Sequence, residues 1–228
     1  MKALVIVAHP DDETIWTGGT ILRHRTWDWT LLSLCRSDDA DRAPRFQAAA
    51  RALGTRGLMS DLDDSPILAA LSPNLDEITS RILRLVSGRN YDFILTHGAR
   101  GEYTRHERHE QVHMAVCDLV ARRELAGRLA FFDYEDGGRA YPSRPARGAD
   151  LTVRLTPGEF EAKRRIVTET YGFQPGSFEF SACGDVEAFG AYRETEVGML
   201  EELMVGSIGA EAPIHQDLEV LKSGKTAP

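Results

Sequence analysis

Nothing in the 228 residues approaches the run of about 18 apolar residues that a membrane-spanning helix needs. Only Lys2 precedes the first apolar run and no leader-cleavage region follows it, so a soluble, cytoplasmic protein is expected. Basic charge is scarce: 27 Lys and Arg against 35 Asp and Glu leave a net charge of -8 and a pI near 5.4. That balance argues against a nucleic-acid backbone or an anionic membrane as partner and favours a neutral or cationic small molecule. The three cysteines, Cys35, Cys117 and Cys183, are odd in number and form no C-x-x-C pair, which argues against both a disulfide framework and a structural zinc ribbon. Neither a G-x-G-x-x-G turn nor a P-loop occurs, so no nucleotide cofactor is expected. No Pro/Gly/Ser-rich linker divides the chain, which reads as one domain over 1–228 with a tail of small and polar residues from about 206. Composition leaves the oligomeric state open, a homo-oligomer included.

What is present begins with the unbroken apolar run Ala3-Leu4-Val5-Ile6-Val7, followed at once by Ala8-His9-Pro10-Asp11-Asp12-Glu13. The run reads as a buried parallel strand covered on both faces, and Pro10 forces a turn out of it. The polar cluster then sits at a strand's carboxyl end, where open α/β sheets place their chemistry. His9-x-x-Asp12 lets one imidazole and one carboxylate converge on a divalent metal while Asp11 points elsewhere. The competing reading is three first-turn acids complementing the dipole of the following helix.

Strand and helix patterns alternate along the chain. A helix is expected from about Glu13 to Arg25, a strand at Thr30–Cys35, a helix from Arg42 to Leu53 closed by Gly54, and a short strand at Leu58-Met59. A helix capped by Ser72 and opened by Pro73 runs to about Ser87, and strands follow at Tyr91–Thr96 and Leu129–Phe132. Thr156-Pro157-Gly158-Glu159 is a capping box for a helix to about Thr170. Such alternation gives right-handed crossovers and an α/β fold, a Rossmann-like three-layer αβα sandwich with a mostly parallel sheet. The paired Gly18 and Gly19 inside the first helix are tolerated where its backbone closely approaches the sheet or a ligand.

A second polar segment, Arg100 to His113, leaves the strand that ends at His97, on the same rim as His9. If a helix starts near His106, then His106, His109 and His113 share one face. His97 reads as a satisfied structural histidine on that rim. Two imidazoles and one carboxylate leave open positions on a metal, as a catalytic site requires. Such a set suits zinc and equally non-haem Fe(II).

His9-Pro10-Asp11-Asp12-Glu13, preceded by its strand and followed by Gly18-Gly19-Thr20, resembles the signature of the PIG-L/LmbE-like zinc-dependent de-N-acetylases. His106-Glu107-Arg108-His109 resembles that family's second motif, with Glu107-Arg108 in place of the usual Pro-Asp. The resemblance covers roughly residues 2 to 190, Tyr171-Gly172-Phe173-Gln174 and Glu187-Ala188-Phe189 matching late pieces of it. It implies that His9, Asp12 and His109 hold Zn2+, with Fe2+ allowed by the donor set alone. It further implies that Asp11 is the general base and that His106 is catalytic. Arg42 or Arg45 then binds substrate, assisted by Tyr103. The implied reaction removes an N-acetyl or other N-acyl group from an aminosugar or an aminosugar-containing metabolite. Two other classes stay open: an Fe(II) oxygenase, whose β-rich barrel conflicts with the alternating pattern, and a non-catalytic metal- or sugar-binding protein.

Overall fold

The computed structural model describes residues 1–65, 75–86, 90–102, 105–135, 137 and 143–192. Ala3 to Ala8 are wholly shielded from solvent, as an unbroken apolar strand with both faces covered must be. Alternate side chains of a strand point to opposite faces. Accordingly Ala3, Val5 and Val7 join one apolar cluster with Trp29, Leu31, Phe93 and Leu95, while Leu4, Ile6 and Ala8 join a second with Leu32, Leu34 and Ile94.

Seven strands form one sheet: β1 (Lys2–Val7), β2 (Asp28–Cys35), β3 (Arg56–Leu62), β4 (Phe93–Thr96), β5 (Arg128–Phe132), β6 (Leu151–Arg154) and β7 (Val186–Ala191). Their order is β3-β2-β1-β4-β5-β7-β6. The first five are mutually parallel, β7 runs antiparallel to β5, and β6 antiparallel to β7. Helices α1 (Asp12–Arg23), α2 (Arg42–Leu53) and α5 (Pro157–Arg165) cover the first cluster. Helices α3 (Leu75–Val86) and α4 (Glu107–Ala121) cover the second, and a short α6 (Phe178–Ala182) precedes β7. This is the expected α/β three-layer sandwich with a mostly parallel sheet. From β1 the chain winds outward through β2 and β3, then returns to β4 on the other side of β1. The carboxyl ends of β1 and β4 therefore flank the point where strand order reverses, which is where such sheets bind ligands.

The antiparallel edge, β6 and β7, was not among the expected strands; β6 has only four residues, and 186–191 carries a charge inside its apolar run. The helix opened by the Thr156 capping box changes to a π-helical turn at Ile166–Thr170. Ser72, Pro73 and the tail from 206 lie outside the described residues.

The late Glu187-Ala188-Phe189 piece is explained by packing. Glu187, on β7, is fully buried and accepts hydrogen bonds from the backbone N–H of Gly19 (2.8 Å) and Thr20 (2.7 Å), from the Thr20 hydroxyl (2.7 Å) and from Lys163 Nζ (2.8 Å). One carboxylate so ties α1 to the antiparallel edge and neutralises a fully buried lysine. Of the paired glycines, Gly19 is the one that space demands: a Cβ there would lie 2.3 Å from Leu155 Cδ1. Removing one member of a buried ion pair costs about 3–5 kcal/mol. Glu187→Ala should therefore destabilise the protein by that amount in urea unfolding, and a loss below about 1 kcal/mol would show that Glu187 is not the tie described.

Candidate metal centre

Pro10 ends β1, and the chain turns through Asp11, a non-glycine residue at φ 127° and ψ -32°, before α1 starts at Asp12. A side chain in that region is strained, a cost that surrounding contacts must offset. The turn folds Asp12 back so that its Oδ2 accepts the His9 backbone N–H (2.9 Å), while Trp16 Nε1 donates to its Oδ1 (3.2 Å). From the β4 side, His106 is the N-cap of α4, and His109 projects from the first turn toward the same place.

Three donor atoms meet there. His9 Nδ1 and His109 Nε2 are 3.1 Å apart, and each is 3.4 Å from Asp12 Oδ2. The outer nitrogen of each ring is taken by a carboxylate: His9 Nε2 by Asp64 Oδ1 at 2.8 Å, and His109 Nδ1 by Glu102 Oε2 at 2.6 Å. Carboxylate oxygens only accept, so the ring protons lie on the outer nitrogens and the inner nitrogens present lone pairs. Three lone-pair atoms facing one another need a cation between them. Ligands about 2.0–2.2 Å from a tetrahedral ion stand about 3.3–3.6 Å apart, so the set fits a divalent metal, and His9, Asp12 and His109 would hold it.

His97 is buried against this set and stacks on His109 at 3.8 Å between ring centroids. Its Nε2 accepts the Ala8 backbone N–H (2.8 Å) and its Nδ1 meets Glu102 Oε1 (2.9 Å). Burial lowers its pKa, but Glu102 and Asp12 outweigh burial and push it up to about 9. The bond from Ala8 uses the lone pair on Nε2, so both ring nitrogens are occupied within the protein. It is the structural histidine its strand-end position suggests. His113 Nδ1 bonds the His97 carbonyl (2.7 Å), behind the donor set.

The adjacent carboxylates behave oppositely. Burial disfavours charge on Asp12, but the imidazoles of His109, His97 and His9 around it hold its pKa well below the ordinary carboxylate value. Asp11 is driven well above that value by burial and by the charge of Asp12, with His9 and Arg42 restraining the rise. The surroundings of these two adjacent carboxylates thus push their pKa values apart. His106 is exposed, with its ring 4.4 Å from that of His109 and 4.9 Å from that of His9. Desolvation of its ring against the other histidines, with the neighbouring His109 and His9, holds its pKa down at about 4, so it is neutral near pH 7.

The two arginines named from sequence part company. Arg42 Nη1 donates to Asp11 Oδ2 (3.1 Å), and its guanidinium lies over the Phe173 ring at 4.9 Å. Arg45 is taken up by Asp41 (2.8 Å) and by the carbonyls of Thr170 (3.2 Å) and Tyr171 (2.9 Å). Tyr103 lies outside the described residues. Sequence reasoning missed two supporting carboxylates. Asp64 sits among several acids of one loop, and Glu102 in an irregular stretch, so neither carried a periodic signal.

The family model described as GlcNAc-PI de-N-acetylase (PIG-L) matches residues 4–120, which contain the whole donor set and both supporting carboxylates. No curated protein matches the chain. Among solved structures, the chain is similar to the N,N'-diacetylchitobiose deacetylase from Pyrococcus horikoshii, at 16% identity and a TM-score of 0.57, covering 91% of this chain and 79% of that one. It is similar to GalB, the 4-carboxy-2-hydroxymuconate hydratase from Pseudomonas putida KT2440, at 16% identity and 0.55, covering 92% and 91%. The zinc-inhibited form of teicoplanin deacetylase Orf2 matches at 13% and 0.56, covering 75% and 84%. At these identities the likeness is one of fold.

Two outcomes follow for metal binding. Losing a carboxylate that orients a ligating histidine costs about 10–100-fold in metal affinity. Asp64→Asn and Glu102→Gln should each show that loss in chelator competition, and unchanged affinity in both would remove the supporting role. Where no cation is bound, the convergence takes a proton: burial lowers the His9 pKa, but hydrogen bonds to Asp12 and Asp64 outweigh it and push it to about 10. Metal uptake must displace that proton, so affinity should rise roughly tenfold per pH unit between about pH 6 and 8. A flat profile would contradict this.

Proposed function

Because the chain belongs to the GlcNAc-PI de-N-acetylase (PIG-L) family, we propose that it is a metal-dependent amide hydrolase. It removes an N-acetyl or other N-acyl group from an aminosugar or an aminosugar-containing metabolite, with zinc as its cation and Fe2+ as the alternative the donor set allows. One observation carries the reading: three lone-pair donors converge within 3.4 Å beside a buried carboxylate, Asp11, that is not one of them. A metal-binding protein without chemistry has no use for such a carboxylate with a raised pKa in a strained turn. The fold by itself does not choose a reaction, since it serves a hydratase as well as deacetylases.

A divalent cation held by His9, Asp12 and His109 supplies Lewis acidity, polarising an amide carbonyl and acidifying water. Asp11 takes the proton of the attacking water and returns it to the leaving amine. Burial and the charge of Asp12 raise its pKa, which favours its holding the proton between the two transfers. Arg42 fixes the Asp11 carboxylate through Oδ2. His106, neutral and exposed at the rim, offers a ring N–H to the oxygen on which negative charge develops.

The test is acetate release from a panel of N-acetyl aminosugars by zinc-loaded protein. Asp11→Asn keeps shape and metal while removing the base, and its kcat should fall by roughly 10²–10⁴ at unchanged metal content. A metal-replete Asp11→Asn protein with wild-type activity would end the base assignment. Hydration of 4-carboxy-2-hydroxymuconate, with no acetate released from any amide, would replace the reading with that of the Pseudomonas neighbour.

A further inference from the structure

The C-terminal half contributes nothing to the donor set, yet one of its segments reaches the turn that presents Asp11. At the end of α5 the π-helical turn Ile166–Thr170 inserts a residue, and the Tyr171 N–H bonds the Ile166 carbonyl at 3.0 Å. Such turns recur at functional sites. Tyr171 is 4% exposed, and its hydroxyl donates to Glu13 Oε1 at 2.6 Å. Glu13 is fully buried; its Oε1 also accepts the Thr14 hydroxyl (2.6 Å), and its Oε2 accepts the Asp11 backbone N–H (3.1 Å). Two residues further on, Phe173 lies under the Arg42 guanidinium that holds the Asp11 carboxylate. Asp11 is thus held at its backbone by Glu13 and at its side chain by Arg42, and each of these two is itself contacted by the segment 166–173, which lies beyond the family-matched region.

We propose that Tyr171 is a positioning residue for Asp11: through Glu13 it holds the strained Asp11 backbone in the conformation that directs its carboxylate away from the ligand set. The hydrogen bond between Glu13 and the Asp11 N–H offsets the strain at φ 127°, and Tyr171 fixes Glu13 where it can make that bond. The other hydrogen bonds of Glu13 among the described residues come from its own turn, so Tyr171 is what ties Glu13 to the C-terminal segment. This rests on the reading of Asp11 as the base.

Tyr171→Phe removes one hydroxyl and keeps the ring in its apolar cluster. A misplacement of about 1 Å at a catalytic group costs on the order of 10²-fold, so kcat should drop roughly 10- to 100-fold, with KM within about twofold and zinc content unchanged. The decisive comparison is the same substitution in the Asp11→Asn background, where a residue acting only through Asp11 has nothing left to act on and no further loss should appear. An equal fold-loss in both backgrounds, or wild-type kcat in the single variant, overturns the proposal while leaving the base assignment intact. If wild-type protein hydrolyses no amide, the proposed function falls, and a crystal structure of Tyr171→Phe then decides alone. An Asp11 that relaxes from its positive φ supports the proposal; one that keeps φ near 127° and its bond to Glu13 overturns it.

Discussion

Three electron-rich atoms held within 3.4 Å of one another repel, and the rest of the rim is arranged to keep them there. Strand pairing does the coarse work: β1 lies beside β4 in parallel register, so the residues after Val7 and those after Thr96 emerge together. Carboxylates do the fine work, because each fixes the tautomer of one histidine and aims its inner nitrogen. The supports are themselves held. Glu102 accepts the Gly98 N–H at 2.9 Å, and Asp64 accepts from Arg36 at 2.7 Å. Asp12, Asp64 and Glu102 bring three carboxylates to the rim, and Arg36 pairs with one of them, Asp64. Arg42 meanwhile compensates Asp11 separately.

Two neighbouring carboxylates can take different roles only if the backbone sends them in different directions. A regular helix start after Pro10 would put Asp11 and Asp12 about 100° apart on one surface, both in reach of solvent. The positive φ at Asp11 breaks that geometry: Asp12 folds back onto the His9 N–H, and Asp11 swings toward Arg42. In the proposed function, strain at this position is what separates ligand from base, and the buried Glu13 is the neighbour that accepts the Asp11 N–H. Read in sequence, Glu13 looks like one more first-turn acid. In the fold it is fully buried and accepts three hydrogen bonds.

Features that depend on local pattern were legible in the sequence; features that depend on which loops fold onto which were not. The apolar run before His9, the Gly54 cap and the Thr156 capping box each carry their cause within a few residues: β1 and α2 appear within a residue of the expected bounds, and the helix opened by Thr156 starts at Pro157 as expected but passes into the π-helical turn after Arg165. His106 and His109, one helical turn apart, share a face by periodicity alone. Asp64 and Glu102 have no such cue, because each becomes a support only after the β3 loop and the segment following β4 close over the rim. The two arginines illustrate the same limit. Three positions apart on α2, they occupy neighbouring parts of one face, and only the packing of 170–173 against that helix sends Arg42 to Asp11 and ties Arg45 to backbone carbonyls.

Glu107-Arg108, where the resemblance leads one to expect Pro-Asp, has a physical consequence for this chain. Arg108 is 6% exposed, and its guanidinium donates to Gln111 Oε1 at 2.6 Å and to the Asp63 carbonyl. The residue after Asp63 is the carboxylate that orients His9, and the residue after Arg108 is His109. A single cation, placed between the paired motif histidines, therefore joins the loop supporting one ligand to the helix bearing the other. A proline at 107 and an aspartate at 108 could not make that connection, since a carboxylate cannot donate to a carbonyl. Through Arg108 the loop carrying Asp64 is tied to the helix that carries His109, while Glu102 supports His109 independently of that tie.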